Sequence, residues 1–102
     1  MTNNTKTYDF EARAGEVPAH QHSNGGGWVA NTAKVDRSAF VDINAHVFGY
    51  AQIFNDVKIS EYAEIFGNAW VYGHAKVYGK ACVYGDVRVF GNAHVFGNAQ
   101  IC

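Results

Sequence analysis

Three consecutive units of one six-residue pattern decide the fold: Ala69-Trp70-Val71-Tyr72-Gly73-His74, Ala75-Lys76-Val77-Tyr78-Gly79-Lys80 and Ala81-Cys82-Val83-Tyr84-Gly85-Asp86. A small residue comes first in each unit, a β-branched residue third, an aromatic residue fourth and glycine fifth. The third position runs unbroken from Val29 to Ile101, with Val or Ile in all thirteen units, and ten of the thirteen first positions are Ala. So strict a period indicates a repeat architecture, which has to be identified before individual elements are predicted.

A period of six predicts short strands. It does not place equivalent residues on one face of an α-helix, which repeats every 3.6 residues. In a strand, positions one and three point the same way and position two points oppositely, so we expect Ala and Val or Ile to face inward. Glycine then tolerates the positive φ that a sharp corner needs. It occupies the fifth position in seven units, at Gly49, Gly67, Gly73, Gly79, Gly85, Gly91 and Gly97.

This pattern resembles the hexapeptide repeat of left-handed parallel β-helices. In that family three hexapeptides form one triangular coil of eighteen residues, with an aliphatic side chain inward and Asn or Gly at the corner. The resemblance implies an all-β, single-stranded left-handed parallel β-helix of about four coils over residues 27–102. The unit Ala-x-Val-Tyr/Phe-Gly-Asn also resembles small bacterial and phage repeat proteins.

Residues 1–26 do not carry the repeat and form a separate N-terminal arm. The alternation in Thr5–Arg13 predicts a short strand. It places three side chains on one face: Tyr8, Phe10 and Ala12. Ala14–Pro18 predicts a turn, and His20–Gly27 predicts a flexible polar link. We expect the arm to cap the first coil, because terminal units of stacked repeats need their open edge covered.

Composition excludes several classes of function. The net charge of −1 gives no signal for nucleic-acid binding, and it is too small for an acidic mimic of DNA. No apolar run is long enough to span a membrane and the N-terminus does not resemble a signal peptide, so we expect a cytoplasmic protein. Cys82 and Cys102 are too few for a disulfide framework and lack a metal-binding spacing, which predicts free thiols.

Aromatic residues at the fourth position distinguish this chain from ordinary hexapeptide repeats. With eighteen residues per coil they form one column on each side of the prism. The columns are Phe48, Phe66 and Tyr84; Phe54, Tyr72 and Phe90; and Tyr78 and Phe96. Two interpretations stay open: stacked rings stabilise neighbouring coils, or a column with Trp70 beside it forms a contact surface for another molecule.

Histidines are the candidate catalytic and metal-binding residues. Hexapeptide acyltransferases, which the fold resembles, use a His as general base near a coenzyme A groove between subunits. None of His46, His74 and His94 meets a carboxylate at an obvious spacing, so we expect solvated surface side chains. Their spacing also differs from the zinc histidines of the carbonic anhydrases that resemble this fold. We therefore predict no catalytic residue, no cofactor and no metal site.

Lysines form a fourth column in the predicted coil. Lys58 and Lys76 stack on the third side, with His94 above and Phe40 below. Their side chains either splay into solvent or form a site for an anion or an acidic partner.

A slender core of Val and Ile favours burial of outer surface as well. The repeat also stays in register to Ile101 and Cys102. We therefore expect a homo-oligomer, formed either side by side or end to end through the C-terminal coil.

These observations favour a non-enzymatic protein-binding or scaffold module, a rigid oligomeric β-prism. The likeness to phage repeat proteins implies a special case, an inhibitor of a host or defence protein. The alternative function is an acyltransferase-like enzyme that uses coenzyme A at a subunit interface. That alternative rests on fold analogy, and fold does not imply function.

Overall fold

The computed structural model describes residues 6–10 and 15–102, which form fifteen strands and no helix. No helix that could cross a membrane is therefore present in this part of the chain. The first three strands are β1 (Thr7–Asp9), β2 (Glu16–Gln21) and β3 (Trp28–Ala30). Twelve two-residue strands follow: β4 (Lys34–Val35), β5 (Phe40–Val41), β6 (His46–Val47), β7 (Gln52–Ile53), β8 (Lys58–Ile59), β9 (Glu64–Ile65), β10 (Trp70–Val71), β11 (Lys76–Val77), β12 (Cys82–Val83), β13 (Arg88–Val89), β14 (His94–Val95) and β15 (Gln100–Ile101).

The strands form three sheets that wrap around one axis. Sheet 1 has the order β1-β2-β3-β6-β9-β12-β15, sheet 2 the order β13-β10-β7-β4 and sheet 3 the order β14-β11-β8-β5. From β3 onward every pairing is parallel and joins residues eighteen positions apart, as in Trp70 with Arg88. The predicted parallel β-helix of about four coils is confirmed.

Inward-facing aliphatic side chains fill the interior. Third-position residues such as Val47, Ile53 and Ile65 are completely buried, and so are the alanines two positions before them. Alanine at the first position lets the three sheets approach closely, while the β-branched residue fills the centre. The hexapeptide therefore encodes one continuous core.

The corners depend on left-handed backbone. Gly67 has φ +70°, and a Cβ there would lie 2.7 Å from the nitrogen of Gly85 in the next coil. Asn55 and Glu61 adopt the same conformation, with φ 65° and 60°. Their side chains accept backbone N–H bonds from the coil above: Gly73 N to Asn55 Oδ1 is 3.2 Å and Gly79 N to Glu61 Oε1 is 2.8 Å. These bonds offset part of the cost of the strained corner.

The described part of the N-terminal arm contains an antiparallel strand pair, β1 and β2, which extends sheet 1 and which we call the hairpin. Strand β1 pairs antiparallel with β2, and β2 pairs antiparallel with β3. The turn predicted for Ala14–Pro18 is wrong at Glu16–Pro18, which belong to β2. The carbonyl of Pro18 accepts a 2.9 Å hydrogen bond from Asn31 N, so proline still contributes to the ladder. The predicted strand residue Ala12 lies outside the described residues.

The predicted polar link His20–Gly27 is instead tied to the first coil. His20 and Gln21 lie in β2. His22 is 7% exposed, and its Nε2 lies 2.8 Å from the carbonyl oxygen of Ala39. Gly27 N donates to Val41 O, and Val41 N donates to Asn24 O. This segment therefore supplies backbone partners to the N-terminal edge of sheet 3, as expected for a cap.

Candidate binding faces

Each sheet presents two columns of outward side chains, from the second and fourth positions of its hexapeptides. We call the outward sides of sheets 1, 2 and 3 face 1, face 2 and face 3. The predicted distribution of aromatic residues is found, one column per face. The faces differ in how much of each column a partner could reach.

Face 1 carries a continuous stack of four rings. Phe10 of the hairpin stacks on Phe48 at 4.7 Å between centroids, Phe48 on Phe66 at 4.8 Å and Phe66 on Tyr84 at 5.0 Å. The hairpin ring covers Phe48, whose exposed fraction is 1%. The prediction that Phe48 lies on a binding surface is therefore wrong, and this column stabilises the coils and fixes the hairpin.

The second column of face 1 is a polar chain across three coils and the hairpin. The hydroxyl of Tyr8 lies 3.0 Å from His46 Nε2, and His46 Nδ1 lies 3.6 Å from Glu64 Oε2. The thiol of Cys82 lies 3.9 Å from Glu64 Oε1. The Tyr8 contact is within hydrogen-bond distance, whereas the Glu64 contact is longer than a hydrogen bond and brings a carboxylate next to the other ring nitrogen of His46.

The expectation that no histidine meets a carboxylate is therefore wrong. Besides His46 with Glu64, His74 Nδ1 lies 3.8 Å from Asp56 Oδ2 at an exposed corner. In both pairs the residues are eighteen positions apart, the length of one coil. Both pairs could have been predicted from the sequence by comparing each histidine with the residues eighteen positions before and after it.

Face 2 combines aromatic rings with arginine. The guanidinium of Arg88 lies over the ring of Trp70, 4.5 Å from its centroid, and Phe54 meets Trp70 edge to face at 6.0 Å. Tyr72 stacks on Phe90 at 5.4 Å, and Phe90 is 57% exposed. Tryptophan, tyrosine and arginine are the residues that most often carry binding energy in protein interfaces.

Face 3 combines aromatic rings with lysine. The predicted column is present, because Phe40 pairs with Lys58, Lys58 with Lys76 and Lys76 with His94 in register. The ammonium of Lys58 lies 5.6 Å from the centroid of the Phe40 ring. The neighbouring column contains Tyr78 stacked on Phe96 at 5.5 Å, with Phe96 56% exposed.

The two predicted end residues lie in the last coil. Ile101 is half-buried against the core, and Cys102 is exposed. Neither Cys102 nor Cys82 forms a disulfide, and Cys82 is buried. Among the described residues, no three His, Cys, Asp or Glu side chains come together as a metal site would require.

Sequence reasoning missed three exposed apolar side chains at corners. Tyr50 and Tyr62 are 65% and 60% exposed, and Ile43 is 51% exposed. They occupy corner positions where glycine or asparagine is usual in this repeat. A large apolar residue at such a position predicts an exposed side chain. Tyr50 also lines a half-open apolar pocket of roughly 370 Å³ between the hairpin and the first corner, together with Val17 and Pro18.

Comparisons with protein-family models, with curated proteins and with solved structures found no match to this chain. The faces therefore have to be interpreted from their own chemistry.

Proposed function

We propose that this protein is a non-enzymatic protein-binding module, a rigid β-prism that contacts its partner through face 2. The observation that carries the proposal is the cluster around Trp70. Its indole is packed by Arg88 and Phe54. The neighbouring column of the same face holds Phe90, which stacks on Tyr72 and has more than half of its surface exposed. A preorganised aromatic cluster binds at low entropic cost, because its side chains are already ordered.

Rigidity supports the same function. A coil of two-residue strands joined by hydrogen-bonded corners leaves the backbone that carries the outward side chains little freedom to rearrange. We therefore expect the backbone of face 2 to change little between the free protein and the complex with its partner. Two cysteines outside any disulfide fit a reducing compartment, so we expect this binding to occur in the cytoplasm.

Copies of the chain are expected to associate side by side. Tyr50 follows β6 and Tyr62 precedes β9, so these exposed rings flank sheet 1 on opposite edges. Burying them against a second copy would remove two large apolar side chains from water and leave faces 2 and 3 free.

Affinity capture from the native host tests the proposed function. The wild-type protein should capture one partner protein at fixed stoichiometry, and Trp70→Ala and Phe90→Ala should each abolish the capture. Ile43→Ala is the matched control, since it removes an equally exposed apolar side chain at a corner outside face 2. A partner that binds Trp70→Ala and Ile43→Ala equally well contradicts the proposal. So does saturable binding of acetyl-coenzyme A that is lost in His46→Ala or His94→Ala, because it would indicate the enzyme alternative.

A further inference from the structure

We propose that face 3 is a docking site for an acidic protein segment, which the Lys58–Lys76 column and the edges of the Tyr78–Phe96 stack recognise together. The inference rests on the proposed function, since it names the chemistry of a protein partner. Three observations carry it: the charges of the outward side chains, the absence of carboxylates within ion-pair distance of the lysines among the described residues, and the orientation of the rings.

The second-position side chains of sheets 2 and 3 carry only positive charge or none. Eight residues occupy these positions: Lys34, Gln52, Trp70 and Arg88 on face 2, and Phe40, Lys58, Lys76 and His94 on face 3. The corresponding column of face 1 contains Glu64. A chain with a net charge of −1 therefore presents two cationic second-position columns, each beside a fourth-position column that holds one aspartate, Asp36 or Asp42. The column of face 3 has adjacent lysines.

The lysine column lacks compensation within the described residues. Lys58 and Lys76 lie opposite each other on neighbouring strands, whose backbones are about 4.8 Å apart at the usual spacing. Like charges at opposed positions of neighbouring strands are destabilising. Neither lies within ion-pair distance of a carboxylate in that part of the chain. Nearby acids have other partners: Asp42 accepts bonds from Ile43 N at 2.9 Å and from Glu61 N at 3.2 Å. An anion bound between the two ammonium groups would relieve their repulsion.

The rings of face 3 turn their edges outward. Tyr78 and Phe96 belong to successive coils and stack with an interplanar angle of 13°. Because coils succeed each other along the axis, the ring planes lie across that axis and their edges point to solvent. The edge of an aromatic ring is electropositive and its face electronegative. The stack therefore adds to the attraction that the lysines exert on a carboxylate.

The same orientation disfavours single-stranded nucleic acid. Proteins that bind single strands offer ring faces on which bases stack, alongside cationic groups that follow the phosphates. On face 3 one face of Tyr78 and one face of Phe96 are stacked against each other, so this pair leaves fewer ring faces for bases than an open platform would. The cations are fully available to anions.

The probe for this inference is a fluorescein-labelled decaglutamate peptide, measured by fluorescence anisotropy at low and at physiological salt. We expect Lys58→Gln/Lys76→Gln to weaken binding about fivefold, two ion pairs being lost. Lys6→Gln/Arg13→Gln, the control, removes the same charge from the N-terminal arm and should weaken binding less than about twofold. Phe96→Leu keeps an apolar side chain, removes the ring edge and should weaken binding about twofold.

The variant Lys58→Gln/Lys76→Gln, the column variant, should be as stable as the wild type. Removing two adjacent like charges should leave the free energy of unfolding equal to that of the wild type or higher. Reduced binding without reduced stability separates a docking role from a structural one. Equal weakening by the column and control variants, or no measurable peptide binding, contradicts the inference. A labelled deoxythymidine decamer that binds as tightly as the peptide also overturns it, in favour of nucleic acid.

Failure here is distinguishable from failure of the proposed function. If decaglutamate does not bind but partner capture still depends on Trp70, face 2 binds a protein and the acidic partner is wrong. If decaglutamate binds through the lysine column and Trp70→Ala captures the partner as well as the wild type does, face 3 is the binding surface and the assignment to face 2 is wrong.

Discussion

Phe48→Ala should be among the most destabilising single substitutions in this protein. The ring is 1% exposed and stacks on Phe10 on one side and Phe66 on the other, at 4.7 and 4.8 Å. Truncation of a buried Phe to Ala costs about 3–5 kcal/mol, because it removes apolar contacts and leaves a cavity. We expect a loss of about 4 kcal/mol, a large part of the 5–15 kcal/mol typical of a domain.

Phe96→Ala is the matched control for that substitution. Phe96 occupies the same hexapeptide position, but it is 56% exposed and stacks on one ring, Tyr78, at 5.5 Å. Its truncation should cost about 1 kcal/mol. Urea unfolding followed by circular dichroism measures both losses. Phe48→Leu, which keeps bulk and loses the stack, replaces Phe48→Ala if the alanine variant does not fold. Equal losses at Phe48 and Phe96 would refute the assignment of the face 1 column to structure and of the outer rings to binding.

Two further predictions concern the corners and the assembly. Gly67→Ala should cost at least about 2 kcal/mol more than Gly91→Ala in the same unfolding assay, because both glycines have positive φ but a Cβ at Gly67 meets the backbone of Gly85, whereas one at Gly91 meets nothing within 4 Å. Equal losses of stability in the two variants would show that the contact with the next coil does not determine the cost of a Cβ at the corner. Light scattering at tens of micromolar should give the wild type a molar mass that is a multiple of 11.2 kDa, and the variant Tyr50→Ser/Tyr62→Ser should have a lower mass. A monomer mass for the wild type contradicts side-by-side association.

The repeat made the β-helix predictable because its pattern is both local and redundant. The same inward Val or Ile recurs at every sixth position, so a single period fixes the strands, the corners and the eighteen-residue register. That register placed Lys58 beside Lys76, as found. It would also have placed Glu64 beside His46, had it been applied to acid–base pairs as well as to aromatic rings and lysines.

The N-terminal arm was less predictable because tertiary contacts determine it. Pro18 favours a turn in isolation, yet β2 is held between β1 and β3. His22 belongs to a polar stretch, yet it is buried, and the carbonyl of Ala39 supplies the hydrogen bond that its buried ring needs. Burial of Phe48 depends in turn on the hairpin ring Phe10, a contact that no period in the sequence encodes.

Calorimetric titration of the captured partner into the wild-type protein and into Trp70→Ala tests the central claim most directly. Truncation of an interface hot spot costs at least about 2 kcal/mol, so the account predicts an affinity at least about thirtyfold weaker for Trp70→Ala. Ile43→Ala should bind as the wild type does. An unchanged affinity in Trp70→Ala, with the variant folded by circular dichroism, would contradict the assignment of partner binding to face 2.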